Sequence, residues 1–112
     1  MNETCKLKPA HKKHKDDTRA RRFRNTAAWQ RKRAEIQERD NYLCKVCLTR
    51  NTITYDSTEV HHIEPLEERY DLRLDDDNLI TLCGEDHIKA EKGTINRQVL
   101  RALAKSEVPP LP

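Results

Sequence analysis

Thirty-five residues separate Cys44-x-x-Cys47 from Cys83-x-x-Asp86, and these two pairs constrain the fold more than any other feature of the chain. Two thiolates spaced by two residues grip one side of a tetrahedral ion, and a second pair from another segment closes the other side. Zinc is the expected ion, because clustered cysteines in a reducing compartment hold metal more often than they form disulfides. Of 112 residues only 35% are hydrophobic and 4% aromatic, against 37% charged. That suits one domain with a small core, for which metal binding becomes folding free energy. The fourth ligand is open: Asp86 offers a carboxylate oxygen and His87 beside it an imidazole. Three ordinary buried cysteines are the plainer alternative. Cys5 reads as a spare thiol.

The net charge is only +3, but it is unevenly spread. Residues 1–33 hold 12 Lys/Arg and 3 Asp/Glu, a net of +9; residues 34–112 hold 10 and 16, a net of −6. A basic arm on an acidic body points to a polyanionic partner, with a merely solvated tail as the alternative. No apolar run resembles a signal peptide or a membrane span, so a cytoplasmic protein is expected, with no membrane contact.

The chain divides into a basic, disordered arm over 1–24, whose arginine-rich end at Thr18–Arg24 reads as extended or helical, a folded domain over 25–107 and a tail over 108–112. From Asn25 or Thr26, either of which can cap, a helix runs to Asp40 with Trp29, Ile36 and the stem of Arg33 on one face. Asn41 and Tyr42 break it, and Cys44 to Cys47 forms a tight turn. Thr52–Tyr55, Thr58–Ile63 and Asn78–Leu82 read as strands, with a charged loop over Glu67–Asp77. Cys83–Glu91 reads as a helix ended by Gly93. Thr94 then caps a last helix with Ile95, Val99 and Ala102 or Leu103 on one face.

The segment Glu59-Val60-His61-His62-Ile63-Glu64-Pro65, followed by Asp77-Asn78-Leu79 and by Leu82-Cys83-Gly84-Glu85-Asp86-His87, resembles the HNH endonuclease family. The letters correspond to His62, Asn78 and His87. The stretch from Trp29 to Cys47, with Arg39-Asp40-Asn41-Tyr42 ahead of the first cysteine, is similar to small phage-type members. The resemblance implies an α+β fold, a ββα-metal (His-Me finger) domain with a structural zinc and flanking helices. It implies His62 as general base, His61 and His87 as ligands of a catalytic metal, and Asn78 as the residue that holds the base in place. Glu91, four residues after His87, stands where some relatives carry a third ligand; an exposed helical glutamate is the simpler account. Many relatives have cysteine where this chain has Asp86.

The residue types suit the chemistry. Phosphodiester hydrolysis needs an activated water, neutralised phosphate charge and a stabilised leaving oxygen. Neutral imidazole accepts a proton near physiological pH. Two imidazoles leave coordination positions free for water and phosphate on Mg²⁺ or Mn²⁺, with Ni²⁺ or Zn²⁺ also suited to imidazole. Adjacent residues on a regular strand point to opposite faces, so His61 and His62 share a site only if the strand twists or ends there.

Arg19, Arg21, Arg22, Arg24, Arg31, Lys32 and Arg33 form the densest basic stretch and are the expected phosphate contacts to DNA. No helix-turn-helix pattern or aromatic platform suggests base-specific reading. The expected activity is DNA hydrolysis to 5′-phosphate and 3′-hydroxyl ends. The rivals are a zinc-braced DNA-binding module without catalysis and a partner of phage terminase subunits in DNA packaging. A third is restriction of foreign DNA, for which no modified-base reader is evident.

Overall fold

The computed structural model describes residues 14–108 of the chain. Residues 1–13 of the arm expected over 1–24, with Cys5, and residues 109–112 of the tail lie outside the described residues. The elements run α1 (His14–Arg24), α2 (Ala27–Arg39), α3 (Lys45–Thr49), β1 (Glu59–His62), β2 (Leu79–Leu82), α4 (Gly84–Glu91) and α5 (Arg97–Lys105). Two 3₁₀ turns, Tyr70–Leu72 and Asp76–Asn78, lie in the charged loop between the strands. The chain is thus a small α+β domain.

β1 and β2 pair antiparallel, with Glu59 opposite Leu82, Val60 opposite Thr81, His61 opposite Ile80 and His62 opposite Leu79. The pleat sorts these side chains onto two faces. Val60 and Leu79 join Ala20, Phe23, Trp29, Ile36 and Leu66 in a cluster beneath α1 and α2. Ile80 and Leu82 join Cys44, Cys47, Ile63, Cys83, Ala90 and Leu100 in a second cluster. Leu79, Ile80, Leu82 and Leu100 are wholly buried. Each fully buried aliphatic side chain of this kind stabilises the fold by about 1.5–3 kcal/mol.

Thr26 caps α2, its Oγ1 accepting from the Trp29 amide at 3.1 Å. The far end of α2 is fixed by a buried ionic knot. Arg39 clasps the buried carboxylate of Asp40 at 2.8 and 3.0 Å and donates to the Leu79 carbonyl at 2.8 Å. Asp40 also accepts from the Thr81 amide at 3.0 Å. With every charge partnered, this knot ties α2 to β2 and sets its height over the sheet. Asn41 and Tyr42 then adopt left-handed φ values of 54° and 61°, which end the helix.

Four expectations change. α1 is helical, and Ala20 and Phe23 are buried in the core, so this stretch belongs to the domain body and not to an arm ending at residue 24. Thr52–Tyr55 forms no strand: only β1 and β2 pair among the described residues, and Ile53 and Tyr55 are exposed. Two backbone hydrogen bonds tie it to the body: the Thr54 carbonyl accepts from the Cys44 amide at 2.9 Å, and the Thr52 amide donates to the Cys47 carbonyl at 3.0 Å. Asn96, not Thr94, caps α5, its Oδ1 accepting from the Gln98 amide at 2.6 Å. Thr94 is occupied in closing α4, because Gly93 turns at φ 81° and the Thr94 amide donates to the Lys89 carbonyl at 2.9 Å. The buried face of α5 is accordingly Leu100 and Ala104, with Val99 exposed.

Candidate active site

α4 faces two ways, and each way meets a cluster of ligating side chains. On its inner side Asp86 is fully buried against Cys44, Cys47 and Cys83. Cys44 arrives as the N-cap of α3 and Cys83 as the N-cap of α4, so two helix starts present the sulfurs. Asp86 Oδ2 lies 3.2, 3.3 and 3.4 Å from the three Sγ atoms, and the four donor atoms fall within 4.8 Å of one another. Asp86 Oδ1 is buried without a hydrogen-bond partner. Burial pushes the Cys44 and Cys83 thiols well above the usual range. Burial also works to raise the Asp86 carboxyl, but hydrogen bonds from the thiols and from Arg50 outweigh it and hold it low. Arg50 Nη2 reaches Asp86 Oδ2 at 3.1 Å from the solvent side. Three sulfurs and an oxygen converging on one buried point, with an orphaned carboxylate oxygen, fit a tetrahedral metal ion. Asp86, and not His87, faces the thiols.

On the outer side of α4, His87 meets His61 across the sheet, ring centroids 4.9 Å apart and edge to face. His87 Nε2 lies 3.4 Å from Glu91 Oε2 one turn on, and its Nδ1 lies 3.8 Å from Glu59 Oε1. Burial, helped by the charges of His87, His62 and Arg97, pushes His61 down to about 4, so its imidazole is neutral and its lone pair free. Two imidazoles, the buried His61 and the partly exposed His87, with the exposed carboxylates of Glu59 and Glu91 at hand, fit a divalent cation.

His62 occupies the other face of β1. Its ring stacks on Trp29 at 4.8 Å between centroids and 29° between planes. Its Nε2 lies 3.1 Å from the Arg73 carbonyl oxygen. A carbonyl only accepts, so Nε2 carries the proton and Nδ1 keeps the lone pair. Burial lowers the His62 affinity for a proton, against the pull of the Arg73 carbonyl. The two histidines therefore obey the strand rule and still open to one cleft. Among the described residues β1 has a free edge, and a cleft of about 630 Å³ runs along it, lined from both faces by His61, His62, His87, Trp29, Glu91 and Arg33, among others.

Asn78 stands outside that lining. Its Oδ1 accepts from the Glu64 amide at 2.7 Å, and its Nδ2 donates to the Glu64 and Leu72 carbonyls at 3.2 and 3.3 Å. It locks the chain just after β1 to the loop before β2. Glu64 is in turn bound by Arg97 at 2.8 Å and by Arg101, which anchors α5 to the same loop.

The basic residues part company. Arg24 and Arg33 line the cleft, Arg33 steadied by Gln30 Oε1 at 2.7 Å. Arg19 lies over the Tyr70 ring at 4.1 Å. Lys32 is engaged by Asp76 at 2.6 Å and Glu35 at 3.2 Å, away from the cleft. Arg21, Arg22 and Arg31 are exposed outside the lining. Sequence reasoning assigned no site role to Trp29, Glu59 or the Arg73 carbonyl. Trp29 and Arg33 sit four residues apart on one helix face, a spacing that links them; nothing in the sequence marks a backbone carbonyl.

The family model for the HNH endonuclease matches residues 44–93. No curated protein matches the chain. Among solved structures, the chain is similar to the HNH endonuclease of the deep-sea thermophilic bacteriophage GVE2, determined with a manganese ion. The identity is 36%, the match covers 79% of this chain and 95% of that one, and the TM-score is 0.66. With 36% identity over 79% of its length, the chain belongs to the HNH endonuclease family.

Proposed function

We propose that this nuclease hydrolyses DNA phosphodiester bonds to 5′-phosphate and 3′-hydroxyl ends, with His62 as the general base. The observation that carries the reading is the shared cleft: the His61–His87 pair and the His62 ring flank the free edge of one strand. His61 and His87, with Glu91 beside them, would hold a divalent cation, Mg²⁺ or Mn²⁺. The bound cation supplies polarisation of the phosphate and stabilisation of the leaving 3′ oxygen. The manganese in the phage relative supports Mn²⁺ as a competent ion.

The chain's own residues do the rest. His62 donates from Nε2 to the Arg73 carbonyl, so its free Nδ1 takes the proton of the attacking water. Arg24 and Arg33 offer charge to the phosphates flanking the scissile bond. Asn78 keeps the loop after β1 in place and so holds His62 where the strand puts it. The buried Cys44, Cys47, Cys83 and Asp86 would hold zinc as a brace. Because these donors are buried, that site has no open position for substrate.

Supercoiled plasmid in Mn²⁺ or Mg²⁺ tests the proposal. The natural chain should nick it and His62→Ala should not, although both bind it. Ligation of the products by a ligase that requires 5′-phosphate checks the ends. Equal nicking by the two proteins sinks the role of His62; binding without nicking by either leaves a DNA-binding module instead. The likeness to a bacteriophage protein supports a phage setting, within which we propose a part in DNA packaging beside terminase subunits. Capture of those subunits, with altered cutting in their presence, is the corresponding check.

A further inference from the structure

We propose that Trp29 is a positioning residue for His62, its indole face fixing the plane of the imidazole and stabilising it as it becomes a cation. This rests on the reading of His62 as the base. An imidazole on a strand has two side-chain torsions to fix. The Arg73 carbonyl pins one end of the ring at Nε2. It leaves the ring free to swing about that bond, and the stack on Trp29 removes this freedom. Phe23 backs the pair, its centroid 5.3 Å from Trp29 and 6.0 Å from His62, edge-on to the latter. Tyr70 closes the row behind Phe23 at 6.1 Å. With one face covered and Nε2 bonded, the Nδ1 edge is the part of the ring left for the cleft.

The chemistry asks for more than orientation. As water loses its proton to Nδ1, the imidazole gains a full positive charge in a half-buried site. The indole face is the best of the aromatic faces for a cation and interacts less with a neutral ring. The contact therefore strengthens as the reaction proceeds, the kind of interaction that raises kcat without tightening substrate binding. Trp29 is well placed to hold its position. Its amide is tied to the Thr26 cap, and α2 is moored to β2 by the Arg39–Asp40 knot. Only one tryptophan occurs in the chain, and it lies in the first turn of the helix that walls the cleft.

A core residue would account for the burial of Trp29 equally well, so the test must separate filling space from presenting a π face. Plasmid cleavage in saturating Mn²⁺ is followed for the natural chain, Trp29→Phe, Trp29→Leu and His62→Ala, with thermal unfolding and bound-metal content for each. Nitrogen NMR of the imidazole reads the His62 tautomer. The proposal expects Trp29→Leu to lose about tenfold or more in kcat at unchanged KM, and Trp29→Phe to keep most of it. It also expects the Nε2–H tautomer to prevail in the natural chain and Trp29→Phe, and a mixture in Trp29→Leu. Should Trp29→Leu fail to fold, Trp29→Met takes its place as an adaptable apolar filler. Full activity in the aliphatic variant, or equal losses in the aliphatic and phenylalanine variants, overturns the proposal. If His62→Ala is inactive while the aliphatic variant cuts normally, this inference alone fails. If His62→Ala cuts normally, the base assignment fails and takes this inference with it.

Discussion

The cysteine cluster and the histidine cleft are built from the same helix, on consecutive residues. Asp86 turns inward to three thiols and is fully buried; His87 turns outward to His61 and is partly exposed. The inner donors leave no face for another molecule, whereas the outer ones open along a strand edge. On the proposed reading, this difference in burial is what separates a bracing site from a reactive one. The inner cluster also clips α3 and α4 together, so it holds α4 at the angle that presents His87 to the cleft. The two regions thus differ in what their loss should do: the first should remove the fold, the second only the chemistry.

The largest expected effect tests the first half of that contrast. Cys44→Ser, or prolonged chelation of the natural chain, should release the tightly held metal and abolish cooperative unfolding, since structural zinc contributes on the order of 10 kcal/mol. Circular dichroism on heating and metal content by mass spectrometry read both. An unchanged melting curve in Cys44→Ser would show that the cluster braces nothing. Next comes His62→Ala, which should lower kcat by about 10²–10⁴ while leaving the melting temperature and the tightly bound metal as they were. Unfolding of that variant would erase the distinction between the regions.

His87→Ala sharpens the comparison at the shared helix. It should raise the Mn²⁺ concentration needed for half-maximal cleavage by roughly tenfold or more, with the metal at the cysteines retained. Loss of both metals together would mean that His87 serves the inner site. Asn78→Ala removes three partly buried hydrogen bonds and should destabilise by about 2–3 kcal/mol, lowering the melting temperature before it lowers the rate of the folded fraction. The smallest effect belongs to the cleft's basic wall. Arg24→Ala and Arg33→Ala should each reduce the salt slope of DNA binding by about one, measured by fluorescence anisotropy. Lys32→Ala, already engaged by Asp76 and Glu35, should leave that slope nearly unchanged.

Much of this was legible before any coordinates. The strand candidates at Thr58–Ile63 and Asn78–Leu82 became the two strands, and Gly93 ended α4 at a left-handed φ. The expected strand at Thr52–Tyr55 did not form, because β-branched residues favour a sheet only when a partner strand is present to accept them. The cap of α5 moved from Thr94 to Asn96, because closing α4 took two further residues. Over α1, a helix at Thr18–Arg24 was one of two conformations open to the sequence, but its arginines obscure Ala20 and Phe23, which pack beneath α2.

By itself the sequence determined the donor types, their spacing and the order strand, strand, helix, since ligand chemistry and short-range periodicity are carried by neighbouring residues. Only the tertiary structure decided which donors meet. The choice of Asp86 over His87 at the thiols depends on the direction in which α4 points its side chains. The sharing of one cleft by His61 and His62 depends on β1 having, among the described residues, no neighbour but β2, so that both of its faces open over a free edge. The stack of Trp29 on His62 depends on the Arg39–Asp40 knot that sets α2 over the sheet. Each of these is a long-range contact, fixed by how the elements pack, which no local pattern encodes.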